Sequence, residues 1–285
     1  MRSEKRNQGG LTLRIVSFVV ILVLAALWMI PLIWAVGTCF KDYFDITHNP
    51  TALLPTGDHW TLENFTIIFT DPNKPLGNWM LNSLIAAFGC MVFTLVVVSL
   101  AAYSFVFVSW KGKNAVYSLV LVTIMVPNIA GIVPMYSMIN SFDWQRSLIA
   151  LIIPGCANAT LLFIVRQFFL GIPRELIESA QVDGANSFKT FMHVVLPLGK
   201  SPLILTALFS FMWNWNDMLW PQIVMNGASA DQWTLPTGLL LLSNAQDANY
   251  APMVAAAVIS SLPIVIVYLI LQRYIIQGVS RSGLK

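Results

Sequence analysis

Six stretches without a charged side chain, 15–40, 75–110, 114–142, 147–165, 201–216 and 248–272, decide what kind of chain this is. Crossing a bilayer as a helix takes roughly 20 apolar residues, and lipid leaves the backbone few other ways to satisfy its polar groups. The fifth stretch is short by that rule and becomes long enough only by including Asp217 through Pro221. Of the 285 residues, 57% are hydrophobic and 10% charged, at a mean hydropathy of +0.71. Soluble domains carry about a quarter charged residues. The expected fold class is an all-α integral membrane protein with six transmembrane helices, at about 15–40, 78–108, 115–140, 147–168, 201–221 and 250–273.

The charges set the orientation. Six spans put both termini on one side, and that side holds Arg2, Lys5, Arg6 and Arg14, then Lys111 and Lys113. It also holds Arg166, Arg174, Lys189 and Lys200, then Arg273, Arg281 and Lys285. Only Lys41, Lys74 and Arg146 fall opposite, among most of the acids. The excess of Lys and Arg on cytoplasmic loops then makes the chain N-in and C-in. The net charge of +3 is thereby a matter of topology, and no nucleic-acid partner is expected. The first span follows a basic segment as a secretory signal would. Its length and the poor cleavage context at Val36-Gly37-Thr38-Cys39 favour a retained span.

Cys39, Cys90 and Cys156 lie in or at the ends of separate spans and read as small packing residues. His48, His59 and His193 share no ligand spacing, so no metal site is expected. Asn64-Phe65-Thr66 matches a glycosylation triplet, a short pattern of little weight. Around it, Leu62, Phe65 and Phe69 are spaced as on one face of a helix, either an interfacial one anchored by Trp60 or an ordinary loop helix. Pro127, Gly131 and Pro134 interrupt the third span, as a path-lining break or a structural kink.

One cytoplasmic segment, 172–200, is polar and patterned. Pro173 suits the start of a helix, with Glu175 and Glu178 in the early turns where carboxylates complement the helix dipole. Ile177, Ala180 and Gly184 form a stripe ending in small side chains, a face that another protein surface can approach closely. Gly184 permits a turn, Asn186 or Ser187 can cap a second short helix through Val195, and Pro197 is expected to stop it. On these grounds alone, a solvated hairpin and a docking surface stand level.

The spacing Glu178-Ser179-Ala180, three residues, Gly184, nine residues, Val194-Val195-Leu196-Pro197 resembles the EAA loop of ABC importer permeases. The family pattern has Ala where Ser179 stands and Ile where Val194 stands, both small steric changes. "SFMWNWNDMLWP" (210–221) and the closing "QRYIIQGVSRSGLK" resemble the MalG branch of carbohydrate ABC importers, and the likeness covers nearly the whole chain. It implies an ABC type I importer permease fold with cytoplasmic coupling helices. Residues 1–14 would be a cytoplasmic N-terminus and 15–285 a single permease domain, with a coupling loop at 172–200 and an external loop at 223–249. Glu178, Ser179, Ala180, Asp183, Gly184, Leu196 and Pro197 would couple the chain to an ATPase.

The implied partners are a second, MalF-like permease, two copies of a cytoplasmic ABC ATPase, an extracytoplasmic sugar-binding protein and membrane lipid. The expected location is the bacterial inner membrane. The chain has no GxxxxGK[ST] loop, so it should hold no cofactor itself and ATP and Mg would be bound by the ATPase. The implied solute is a di- or oligosaccharide, with a polyol or glycerol phosphate as the alternative.

Near the end of the fifth span, Asn214, Trp215, Asp217 and Trp220 admit two readings. They line a sugar pathway, since polar groups at that depth face a bundle interior or water. Alternatively they form an aromatic belt or pack helices, which their outward position favours. In the external loop, Asp231, Gln232 and Trp233 stand where the family meets its binding protein, and Leu239–Leu242 is expected to fold back on the membrane body. The tail residues Ser280, Arg281 and Lys285 stand where the family contacts its ATPase, although the usual fuller glycine-lysine ending is missing. An ion-coupled carrier would want discontinuous helices and buried midplane charge, and Asp217 is the lone acid associated with a span interior. An intramembrane hydrolase would need a nucleophile and base within the spans, and no such pair occurs.

Overall fold

A computed structural model describes residues 2–72, 74–243 and 249–282, with side chains described for 13–72, 74–242 and 249–272. Helices account for nearly all regular structure, and the described residues contain no strand beyond an isolated bridge between Lys41 and Trp60. Two compact units are present. One is the chain up to Pro72 with Leu242–Ser260, the other begins after Pro72, runs through Leu241 and resumes at Ser261.

In the first unit, α1 (Arg2–Thr38) is apolar on every side and almost wholly exposed from Leu13 onward, as suits a helix solvated by lipid. It is followed by α2 (Tyr43–His48) and α3 (Glu63–Thr70). Between them the chain closes on a buried polar network. Lys41, fully buried, donates from Nζ to the carbonyls of Asn49 (2.7 Å) and Ala52 (2.8 Å). Asp45 accepts from Asn49 Nδ2 (3.0 Å), the Thr56 amide (3.2 Å) and the Thr56 hydroxyl. Asn64 is buried and donates to the carbonyls of Cys39 and Lys41, so its amide is spent inside the fold and the glycosylation triplet has no free acceptor. Leu62 and Phe69 lie on the exposed face of α3, leaving Asn64 and Ile68 to hold it down.

The second unit is organised on α4 (Leu76–Phe107), about 48 Å long at 1.5 Å per residue. A bilayer core is about 30 Å thick. The third apolar stretch is two helices, α5 (Lys113–Thr123) and α6 (Ile132–Ser141), bent by 101°. Pro127 has no N–H and disfavours helix at the residue before it, so α5 ends early and a 3-10 turn at Asn128–Gly131 restarts the chain. Pro134 falls in the first turn of α6, where a missing donor costs nothing. The break is thus far larger than a kink. The fourth stretch is also divided, into α7 (Ile149–Ile152), a 3-10 turn at Pro154–Cys156, and α8 (Ala159–Leu170) capped by Asn158, with a 44° bend.

Three short helices, α9 (Arg174–Val182), α10 (Ser187–Thr190) and α11 (Leu196–Leu198), lead into α12 (Lys200–Asn216), which lies along α4. Beyond it are α13 (Leu219–Val224), α14 (Leu235–Ser243) and α15 (Ala251–Ser282). α12 ends at Asn216 rather than running to residue 221. Asp217 is extended (ψ 121°) and its carboxylate accepts from the Trp220 amide at 3.3 Å, so it closes one helix and caps the next.

Candidate functional site

The polar segment folds as a capped helical hairpin. α9 begins after Pro173, carries Glu175 in its first turn, and closes in a Schellman motif. The Ala185 amide donates to the Ala180 carbonyl (2.9 Å) and the Gly184 amide to that of Gln181 (3.0 Å). Gly184 is the left-handed residue this motif requires, at φ +82°. Asn186 then caps α10, its side chain accepting from the Lys189 amide at 2.8 Å.

Packing fixes which side of the hairpin looks out. Ile177 is 6% exposed and joins Phe191 and Val195 in a core cluster with Tyr103 of α4 and Val165 and Phe169 of α8. The Phe191 ring meets Tyr103 edge-on at 5.2 Å. The Ile177, Ala180, Gly184 stripe therefore turns at its first member toward the chain's own body, where sequence reasoning had it facing a partner. The opposite side carries Glu178, Ser179 and Asp183, all exposed, and Gly184 is exposed at the turn. The same side also carries a residue that the motif reading passed over, Val182 at 87% exposure, whose signal was an apolar side chain off the buried stripe in an otherwise polar loop. Phe188, 65% exposed, instead lines an apolar groove with Leu95 and Ser99 of α4 and Leu203 of α12.

Leu196 packs against the core cluster, and Pro197 sits inside helical structure instead of stopping it. A π turn over Phe191–Val195 resolves the conflict, since the Leu196 amide reaches back to the Phe191 carbonyl and the ladder is shifted before proline's missing donor is due. The break falls at Gly199, where the Ser187–Leu198 segment meets α12 at 81°.

At the other end of α12 the aromatic residues are occupied inside the chain. Trp215 is 2% exposed, and buried Trp220 donates from Nε1 to the Ala150 carbonyl at 2.9 Å. Asn214 Nδ2 donates to the Ser210 carbonyl of its own helix at 2.8 Å. These geometries answer to helix packing. Trp215 and Trp220 are buried among this chain's own helices.

The external loop is tied to α4. Trp79, fully buried, donates from Nε1 to the Ala230 carbonyl (2.6 Å), and Asn82 Nδ2 donates to the carbonyls of Asp231 (2.8 Å) and Trp233 (3.0 Å). Ser83 Oγ accepts from the Leu235 amide at 2.8 Å. The fold-back expected of Leu239–Leu242 is thus anchored earlier, at Trp233 and Leu235. Asp231 and Gln232 stay exposed, while Trp233 packs against the cluster of Ile139, Trp220 and Val224. The side chains of Ser280 and Arg281, and all of Lys285, lie outside the described residues. Among the described residues, no group of three His, Cys, Asp or Glu side chains could hold a metal.

Residues 95–281 match the family described as "Binding-protein-dependent transport system inner membrane component", and the chain belongs to it. It is 30% identical over 262 residues to the arabinooligosaccharides transport system permease protein AraQ of Halalkalibacterium halodurans, covering 92% of this chain and 93% of that one. The diacetylchitobiose uptake system permease protein NgcG of Streptomyces coelicolor is 27% identical over 271 residues (94% and 87%). The sn-glycerol-3-phosphate transport system permease protein UgpE of Yersinia pestis is 29% identical over 280 (97% and 98%). Among solved structures, a chain of a bacterial ABC transporter involved in the import of the acidic polysaccharide alginate matches with a TM-score of 0.79. That match has 21% identity and covers 91% of this chain and 95% of that one, and it shows the fold. The chain is thus an inner-membrane ABC importer permease of the carbohydrate branch, and not an enzyme.

Proposed function

We propose that this permease forms half of the path of an ATP-driven, binding-protein-dependent importer of a di- or oligosaccharide. Its hairpin of α9 and α10 is the surface on which a separate ATPase docks. A MalF-like permease forms the other half of the path, two ATPase copies bind ATP and Mg, and an extracytoplasmic sugar-binding protein delivers the solute. A relative crystallised with an alginate pentasaccharide-bound periplasmic protein supports the last of these. The charge asymmetry supports placing the hairpin in the cytoplasm. The names of AraQ and NgcG support an oligosaccharide, and that of UgpE supports glycerol phosphate as a second reading.

The observation that carries the docking reading is Val182, 87% exposed and flanked by Glu178 and Asp183 on a hairpin pinned from behind by Ile177. Apolar side chains held that far out of the fold belong at the centre of a protein contact. The test is the assembled transporter in proteoliposomes with Val182→Asp and Glu178→Lys. Both side chains are exposed, so the membrane body should stay folded. Loss of the ATPase on purification, or at least a tenfold fall in binding-protein-stimulated hydrolysis, is expected on the scale of a hot-spot residue. Unchanged assembly and stimulation in both variants would remove the docking assignment.

A further inference from the structure

A polar cleft of about 390 Å³ opens where α4, the turn before α7 and the loop after α13 meet. Its polar rim is Asn78, Asn82, Arg146, Asp231 and Gln232, and its apolar floor is Leu148 and buried Met225, with exposed Leu81 beside them. The charge asymmetry sets this end of the chain outside.

Arg146 is seated there by the backbone. It is a non-glycine residue at φ +56°, a left-handed conformation that costs roughly 1–2 kcal/mol and persists only where its surroundings impose it. Its amide donates to the Val224 carbonyl (3.2 Å) and its Nε to the Asn226 carbonyl (3.3 Å). The guanidinium lies so close over Gly227 that a Cβ there would stand 2.9 Å from one of its nitrogens. Three local features thus hold one side chain in place, and among the described residues its two terminal nitrogens make no hydrogen bond. Among the described residues it forms no ion pair.

The remaining rim groups are unspent in a complementary way. Asn82 uses both amide hydrogens on the loop carbonyls, which leaves its Oδ1 as an acceptor. The side chains of Asn78, Gln232 and Asp231 make no hydrogen bond among the described residues. The cleft therefore offers donors from Arg146, Asn78 and Gln232 beside acceptors from Asp231, Asn82 and the two amide oxygens. One cation and one anion leave it close to neutral.

We infer that this cleft binds an uncharged sugar unit through its hydroxyls, as a solute contact on the outer face of this subunit. A hydroxyl both donates and accepts, and adjacent hydroxyls on a ring want donor and acceptor side by side, which is what the rim provides. A phosphate or carboxylate would want donors alone, and Asp231 would repel it. The apolar floor matches the C–H face of a pyranose or furanose ring. The volume lies in the range of small-ligand sites. The inference rests on the solute class proposed above, though not on the docking role of the hairpin.

The experiment is direct binding to the assembled transporter in nanodiscs, without binding protein, by saturation-transfer NMR. The neutral probes are arabinotriose, maltotriose and diacetylchitobiose; the acidic ones are sn-glycerol 3-phosphate and an alginate trisaccharide. One or more neutral probes should bind, and Asn78→Ala or Gln232→Ala should each raise Kd about fivefold, equivalent to roughly 1 kcal/mol for one hydrogen bond. Arg146→Lys, which keeps the charge and loses the fork, should raise it about tenfold. No binding by any probe, binding indifferent to all three variants, or binding confined to the acidic probes would each overturn the inference. Binding-protein-stimulated ATP hydrolysis read on the same sample separates the two proposals. Normal coupling with an unresponsive cleft sinks this one alone, and lost coupling in the wild type sinks the functional reading.

Discussion

Replacing Gly184 separates what its backbone does from what its surface does. At φ +82° it occupies the left-handed region, which costs an ordinary L-residue about 1–2 kcal/mol, and Asn less. A Cβ built there meets nothing within 4 Å, so within this chain Gly184→Ala carries the backbone term and no clash. At about 1.4 kcal/mol per tenfold, that cost lowers the ratio of closed to frayed turn by roughly 5- to 30-fold. The readout is hydrogen exchange at the two amides that close the Schellman motif, Gly184 and Ala185. Exchange should quicken in the order Gly, Asn, Ala. Binding-protein-stimulated ATP hydrolysis should fall in the same order if the turn's shape is what the ATPase reads. Gly184→Asp adds a wedge to the Asn geometry, so it drops below Asn only where a partner backs onto this position. Exchange unchanged in Gly184→Ala, or faster in Asn than in Ala, would refute the backbone reasoning.

Three further outcomes follow from the same geometry. Ile177→Ala should cost about 2–4 kcal/mol at the hairpin's anchor; exchange across 174–195 should then rise while that of α4 does not, and protection unchanged in both would remove the anchor role. Trp220→Phe takes the donor from the buried Ala150 carbonyl, a loss of about 1–3 kcal/mol that should appear as a lower Tm of the purified chain, and an unchanged Tm would mean that the bond contributes nothing. In the segment between α1 and α3, the Asp45 amide and then His59 hold the Asp42 carboxyl below its ordinary range. Burial works to raise Asp45, but hydrogen bonds from Thr56 and Asn49, with Lys41 beside it, hold that carboxyl low as well. A depressed carboxyl stabilises the fold above its unfolded pKa, near 3.9, and that contribution is lost as pH falls through the folded value. The Thr56 amide should stay protected through pH 5 and open only below about 4, with Asp45→Asn abolishing the response; opening between pH 5 and 6 would implicate other groups.

Much of the hairpin was legible because its signals are local. Glu175 at a helix start, Gly184 at a left-handed turn and Asn186 at a cap each act through bonds to residues a few positions away. The spans were legible only as apolarity. Pro127 announces that a helix must break, but the 101° between α5 and α6 depends on what packs on either side, which composition does not encode. The aromatic end of α12 was ambiguous for a related reason. Trp is favoured both at membrane interfaces and in cores, and only the partner of its N–H, here the Ala150 carbonyl, tells which. Arg146 gave no signal at all, since its left-handed φ and the approach of Gly227 arise from a contact between segments 80 residues apart.

The Gly199 break bears on how motion could pass from the hairpin to the membrane. A bend of 81° before a long helix looks like a hinge, and glycine would give it the freedom. Its surroundings take that freedom away. A Cβ at Gly199 would lie 2.5 Å from the Phe169 ring and 3.1 Å from the Val195 carbonyl, so the backbone is pressed against both. Phe169 and Val195 are themselves fully buried in the cluster that holds Ile177. Swinging α10 and α11 toward Phe169 would drive the chain into a filled core, where even one added methylene is costly. In that direction a force applied at Val182 would be carried by the hairpin, α8 and α12 together. The residue type that most resembles a joint is here the one that lets the parts lock.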